Sequence, residues 1–442
     1  MDKILLFLLQ VPVPKDIPLA LPLPYWLLVA ILVFSFLLHI FFVNLMIGST
    51  VLVLWAELMG LKNKAWNDVA YAIEDTITLN KSLAVVMGVA PLLSINVLYT
   101  VYFYTANILT GYMWIAVVPL VIVAFLLGYI HKYTWERLKD NKLLHILIIA
   151  AAALIFLFIP FIFLANINLM QFPERWADVE GLFSAVMLNN VFPRYLHFIT
   201  ATMALTGLFI FWFFKRKRYP FEENIQGISR HEVRKKGLSL AFAATMAQLV
   251  FGPLLFLTLP ARGIEWNIFL YIGLGLTAAI FAMVWMWQSI TGPGERIEKR
   301  FWPIVIALGV TVTFMAMGRQ FYRSNALEPH QKLMAAKTQQ YLELADKARL
   351  LETEGKTAKA EETALQGQAL FDRHCAACHQ PDSRLVGPPV KEISPIYEGN
   401  KEGLIAWIEE PGRKREDYPP MPGFPYLNKE ELDEIAEYML EL

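Results

Sequence analysis

The sequence predicts an all-α membrane protein: a bundle of about eight spanning helices, then a charged helical arm, then a small helical domain outside the bilayer. Three observations lead there. Apolar residues make up 56% of the 442-residue chain and charged residues 18%, with mean hydropathy +0.43, which is too apolar for one globular core. Runs of about 20 apolar residues, the length that crosses a hydrocarbon core, recur between positions 26 and 321. Beyond position 322 the composition changes abruptly, and the chain's 2 cysteines occur only there. Net charge is zero, which removes the electrostatic case for a nucleic-acid partner.

The first 24 residues hold a short apolar run broken by prolines, with no small-residue cleavage pattern. They read as an interfacial lead-in rather than a removable signal peptide. Eight spans follow, at roughly 26–57, 83–105, 113–130, 144–166, 192–214, 238–259, 266–288 and 302–321. Lys and Arg set their orientation. The connection after span three carries Lys132, Arg137, Lys139 and Lys142; the one after span five carries Lys215, Arg216, Lys217, Arg218, Arg230, Arg234, Lys235 and Lys236. The one after span seven carries Arg296, Lys299 and Arg300, whereas the alternate connections hold only Arg175 and Arg262. The basic loops are therefore expected in the cytoplasm and both termini in the periplasm, in the inner membrane of a bacterium.

Residues 323–365 read as a charged helical arm, rich in Ala, Glu, Lys, Leu and Gln, with Gly355 as its expected break. Both cysteines then appear in Cys375-Ala-Ala-Cys378-His379. That spacing attaches a c-type haem: two thiols on one helical turn reach the porphyrin vinyl groups, and the adjacent His379 lies under the iron. A redox dithiol or half of a zinc site needs no following histidine, and zinc would need two further ligands. One covalent haem c is expected, and it is attached on the periplasmic side, in agreement with the Lys/Arg orientation.

Ionisable groups inside spans require a reason. His145 lies at the boundary beside Lys142 and reads as a snorkelling side chain. His39 and His197 differ, lying 16 residues before Trp55 and 17 before Phe214 respectively. At 1.5 Å per residue both are about 25 Å from the cytoplasmic face. Buried neutral imidazoles are good iron ligands, and two at one depth hold either one haem between them or two neighbouring haems.

Residues 366–442 resemble a class I cytochrome c throughout. The helix ALFDRHCAACH, the pair Gly387-Pro388, the loop Pro420-Met421-Pro422 and the closing helix KEELDEIAEYMLEL each match that family. The resemblance implies that Met421 is the distal ligand opposite His379, and a thioether ligand raises the potential. Residues 25–322 form the second region of resemblance, thinly similar to the catalytic subunit of cytochrome bd quinol oxidases. HIFFVNLMIGST matches a helix whose histidine ligates one of the paired haems, here His39. LNNVFPRYLHFITATMALTGLFIF matches the helix that binds the low-spin b haem, here through His197. Gly318-Arg319-Gln320 matches a signature at the outer end of a late span, implying Arg319 beside haem propionates, whereas Arg194 qualifies only by lying three residues before His197.

Departures from that family matter as much. No Asp or Glu occurs between Asp75 and Glu136, where the family keeps carboxylates for haem ligation and proton delivery. Its b-haem methionine has no counterpart near Tyr271, leaving Met203, Met246, Met315 and Met317 as substitutes. The outer loop is reduced to LPARGIEW, and the arm and cytochrome c stand in place of a ninth span. The expected function is thus electron transfer in a respiratory chain between one or two b haems and the c haem. A periplasmic carrier, quinol, and a second membrane subunit or second copy are the expected partners. The alternative is an enzyme, a modified bd-type oxidase or nitric oxide reductase fed by quinol or cytochrome c. A third reading leaves the spans as a haem-free anchor.

Overall fold

The computed structural model describes residues 21–292, 294–353, 359–413 and 415–442. Most of the N-terminal lead-in, and the expected break at Gly355, lie outside the described residues. Every regular element among them is helical. We number the longer helices α1 (Tyr25–Gly60), α2 (Ala65–Leu98), α3 (Thr100–Thr110), α4 (Tyr112–Tyr133), α5 (Lys142–Leu169), α6 (Val191–Lys215), α7 (Arg230–Leu257), α8 (Trp266–Thr291) and α9 (Gly294–Thr353). The last three are α10 (Lys359–His374), α11 (Lys401–Glu409) and α12 (Lys429–Glu441). Two compact units result: a membrane unit of Leu21–Gln171 and Glu180–Ala326, and a C-terminal unit of Phe172–Val179 and Leu327–Leu442.

Seven of the helices are long and apolar enough to cross a bilayer. Their outward faces carry exposed large apolar side chains such as Val118, Leu154, Leu274 and Ile306, as lipid contact requires. The chain is a multi-pass membrane protein. The second expected span, 83–105, is not one straight helix: α2 ends at Leu98 and α3 departs at 110°. Pro91 weakens α2 by removing a donor, and Tyr99 leaves the helical region at φ −132° and ψ 39°. Tyr99 is buried; its hydroxyl accepts from Gln320 Nε2 at 2.9 Å, and Arg323 lies 5.2 Å from its ring centre. Gly111, with φ 59°, then turns the chain into α4.

Small residues bring the helices of the membrane unit together. A Cβ on Gly207 of α6 would lie 2.5 Å from the Gly237 carbonyl of α7, so the two backbones nearly touch. Between α1 and α6, Thr202 Oγ1 donates to Asn44 Oδ1 at 3.0 Å, and Thr206 Oγ1 to the Asn44 carbonyl at 3.3 Å. Beyond these bonds Val53 of α1 joins Ile210 and Phe214 of α6 in one core, so α1 and α6 run in the same direction.

Span eight continues into the arm, making α9 60 residues long. The first turns of the expected solvated arm are in fact buried, at Leu327, His330 and Met334, with the His330 ring 5.4 Å from that of Trp176. Leu327, His330 and Met334 recur at helical spacing within the charge pattern, which puts them on one buried face of the helix.

In the rest of the C-terminal unit, α10 and α12 cross where Gly367 leaves room: a Cβ there would lie 2.4 Å from the Glu434 carbonyl. Phe371, Val390, Leu404, Ile408, Leu432, Ile435 and Met439 form the core. Asn428 and Glu431 cap α12 reciprocally, which starts the helix at a fixed residue.

Candidate functional site

The turn after α10 holds Cys375, buried, and Cys378, half-buried, and Cys375 lines an apolar cleft. Burial pushes the Cys378 thiol up, which disfavours the thiolate that redox or zinc chemistry uses. His379 is buried, and its Nδ1 donates to the Pro388 carbonyl at 2.8 Å, leaving Nε2 as the nitrogen with a free lone pair. Burial holds the imidazole below its ordinary value, opposed by that hydrogen bond, so it is neutral at pH 7. Gly387 backs the ring: a Cβ there would fall 2.3 Å from His379 Cε1. The sequence therefore places Gly-Pro where a side chain is excluded and a carbonyl is needed.

The cleft has about 860 Å³ of empty space, part of it open to solvent. His379 and Met421 both line it, together with Leu404, Trp407, Tyr418 and Pro420. A flat apolar macrocycle with an imidazole and a thioether as iron ligands fits this donor set. His374, the motif's other neighbour, instead has its ring 6.0 Å from Tyr426.

In the membrane unit, His39 repeats the His379 arrangement. Its Nδ1 donates to the Ala84 carbonyl of α2 at 2.9 Å, and a Cβ on Gly88 would lie 2.9 Å from its Cε1. His197 faces α7, with Gly252 beside its ring, and its buried Nδ1 has no hydrogen-bond partner. A buried imidazole nitrogen left unpaired is costly, and a ligand for it resolves that cost. The two rings face different neighbouring helices. Asn44 and Thr202, hydrogen-bonded across α1 and α6, each lie five residues beyond their histidine, so the two imidazoles share a depth.

Arg319 places its guanidinium 4.7 Å from the ring centre of Phe36, one turn before His39. Arg194, Arg319 and Arg323 lie close enough to repel one another, and among the described residues no carboxylate comes within ion-pair distance of any of them. Arg194 is buried rather than water-facing: Nε donates to Asn190 Oδ1 and Nη2 to Gln171 Oε1, both at 2.8 Å. Of the substitute methionines, Met315 packs against Gly275 of α8, while Met246 and Met317 are exposed on the outer face.

One cluster escaped the sequence reading. Glu57, Glu74, His131 and His145 are all buried at the basic end of the membrane unit. His145 does not snorkel; its Nδ1 lies 2.8 Å from Glu57 Oε1, and only Lys142 reaches outward, with Nζ 2.6 Å from the same oxygen. The available signal was four ionisable residues at four helix ends, which are indistinguishable in sequence from boundary residues.

Comparison with known proteins matches the cytochrome c family over residues 364–442. Cytochrome c-551 of Stutzerimonas stutzeri is 35% identical over 92 residues, which is 20% of this chain and 88% of that protein.

Proposed function

The C-terminal domain of this chain belongs to the cytochrome c family, and on that premise we propose a membrane-bound haem protein of a respiratory chain that exchanges electrons between its membrane unit and a periplasmic carrier. Haem supplies a reversible one-electron couple. Cys375 and Cys378 form its thioethers in the C-terminal domain, and His379 and Met421 are its axial ligands. The membrane unit is bd-like: His39 and His197 each ligate the iron of a non-covalent b haem. Arg319, with Arg194 and Arg323 nearby, meets anionic propionates, since guanidiniums without carboxylates at this depth call for an anionic partner.

The observation that carries this reading is the matched pair of imidazoles. His39 and His197 stand at one depth on parallel helices, one locked by a backbone carbonyl and the other with an unpartnered ring nitrogen. Rings facing α2 and α7 separately support two haem sites rather than one shared haem. In this reading the termini and the C-terminal domain lie in the periplasm and the spans in the bacterial inner membrane, which the Lys and Arg of alternate loops support. Quinol, and a second membrane subunit or copy, are partners of this reading.

The test is the dithionite-reduced optical spectrum of detergent-purified protein, with and without carbon monoxide. The reading expects b and c bands together and no carbon monoxide shift. Bands of c type alone would reduce the spans to an anchor, and a shifted band would make the protein an oxygen or nitric oxide reductase.

A further inference from the structure

We propose that Glu57, His131 and His145 form a buried binding site for one divalent first-row transition cation of the zinc class, with Glu74 orienting His131. The three bring one ligand atom each to within 4.8 Å of one another, from the ends of α1, α4 and α5. All are buried, so their shared charge is not a solvated surface feature.

The hydrogen bonding of each imidazole points the same way. His145 Nε2 lies 2.9 Å from the His131 carbonyl, which only accepts, so Nε2 carries a hydrogen. The other nitrogen, Nδ1, lies 2.8 Å from Glu57 Oε1, so a positive charge, carried by a proton or a metal ion, belongs beside this pair. His131 has Nδ1 3.7 Å from Glu74 Oε2 and Nε2 3.4 Å from Glu57 Oε2. Neither His131 nitrogen, nor Glu57 Oε2, nor either Glu74 oxygen makes a hydrogen bond. Two imidazole nitrogens thus converge on one buried carboxylate, and a single cation held among them meets the three unfilled polar groups at once.

The outer contacts are those of a metal centre. A metal-ligating histidine gives its second nitrogen to a carboxylate or backbone carbonyl, and here His131 faces Glu74 and His145 faces a carbonyl. Ligands around a four-coordinate zinc at about 2.0–2.1 Å sit roughly 3.4 Å apart, the separation of Glu57 Oε2 and His131 Nε2. The stacked imidazoles, 3.9 Å between centres and 26° apart, direct both edges at the same carboxylate. Lys142, partly exposed, lets Glu57 Oε1 remain neutralised while Oε2 ligates. Two histidines and one carboxylate suit zinc or iron(II) rather than calcium or magnesium, which prefer all-oxygen shells.

The test uses untagged full-length protein in detergent, stripped with a chelator and titrated with Zn²⁺, followed by elemental analysis and zinc K-edge absorption. About one zinc per chain is expected, with imidazole scattering and bonds near 2.0–2.1 Å. Haem c content and helicity report that each variant is folded. Glu57→Gln/His131→Gln should abolish the bound zinc, and Glu74→Gln should weaken it by about 10–100-fold. Substoichiometric zinc in wild type, zinc without imidazole scattering, or equal binding by the folded double variant would each overturn the proposal and leave a proton-sharing cluster. If the double variant does not fold, the wild-type spectrum alone decides.

Discussion

On the proposed reading, the His379 and His197 environments solve one problem in two ways. His379 has its carbonyl partner and its backing glycine nine and eight residues along the same chain, beside the cysteines that fix the position. His197 meets Gly252 of another helix, 55 residues away, and its ring nitrogen is unpartnered. His39 stands between them, with the local chemistry of the first and the interhelical partners of the second. Covalent attachment demands a fixed local spacing, whereas a non-covalent site is assembled by helix packing and leaves only single residues in the sequence.

The largest effect expected separates covalent from non-covalent binding. Cys375→Ser with Cys378→Ser should remove all pigment that survives acidic organic extraction, while the membrane unit keeps its own. Haem staining of denaturing gels reads this directly. Retained staining would refute the thioether assignment.

The glycines behind each imidazole give a graded comparison. A Cβ would approach the ring to 2.3 Å at Gly387, 2.9 Å at Gly88 and 3.9 Å at Gly252. Overpacking costs about 1–3 kcal/mol, so Gly387→Ala should destabilise the C-terminal domain by the upper part of that range. Gly88→Ala should cost less because its Cβ would meet the ring at 2.9 Å rather than 2.3 Å, and Gly252→Ala should be nearly neutral. Thermal melts followed at c and b bands rank the three; a reversed order would show that the rings are not held as described.

These comparisons also mark what the sequence made legible. The motif at Cys375–His379, the apolar spans and the closing α12 follow from local spacing: the structure has helices at the spans and at α12, and the motif forms the turn that ends α10. The break at Tyr99 was not legible, because the contacts that hold it come from Gln320 and Arg323, more than 200 positions away. His145 looked like a boundary residue because Glu57, its partner, is 88 positions away. The burial of Arg194 was not legible either, since it depends on hydrogen bonds to the Asn190 and Gln171 side chains.

A small effect is expected from pH. Arg415 holds the exposed Asp417 carboxyl below its usual value through their hydrogen bond, so the folded domain binds fewer protons than the unfolded chain there. That contribution is present above the ordinary carboxylate value near 3.8 and is lost as pH falls through the depressed one. Arg415→Gln should flatten the acid limb of a stability profile slightly, and salt should do the same, since exposed pairs are screened.

The comparison turns most directly on the ratio of b to c haem by pyridine haemochrome in wild type, His39→Ala and His197→Ala. Two separate membrane sites predict a wild-type ratio of about two, with each variant losing one b haem and keeping its covalent haem in full. A ratio unchanged by both substitutions, or a wild type with c haem alone, would contradict the account.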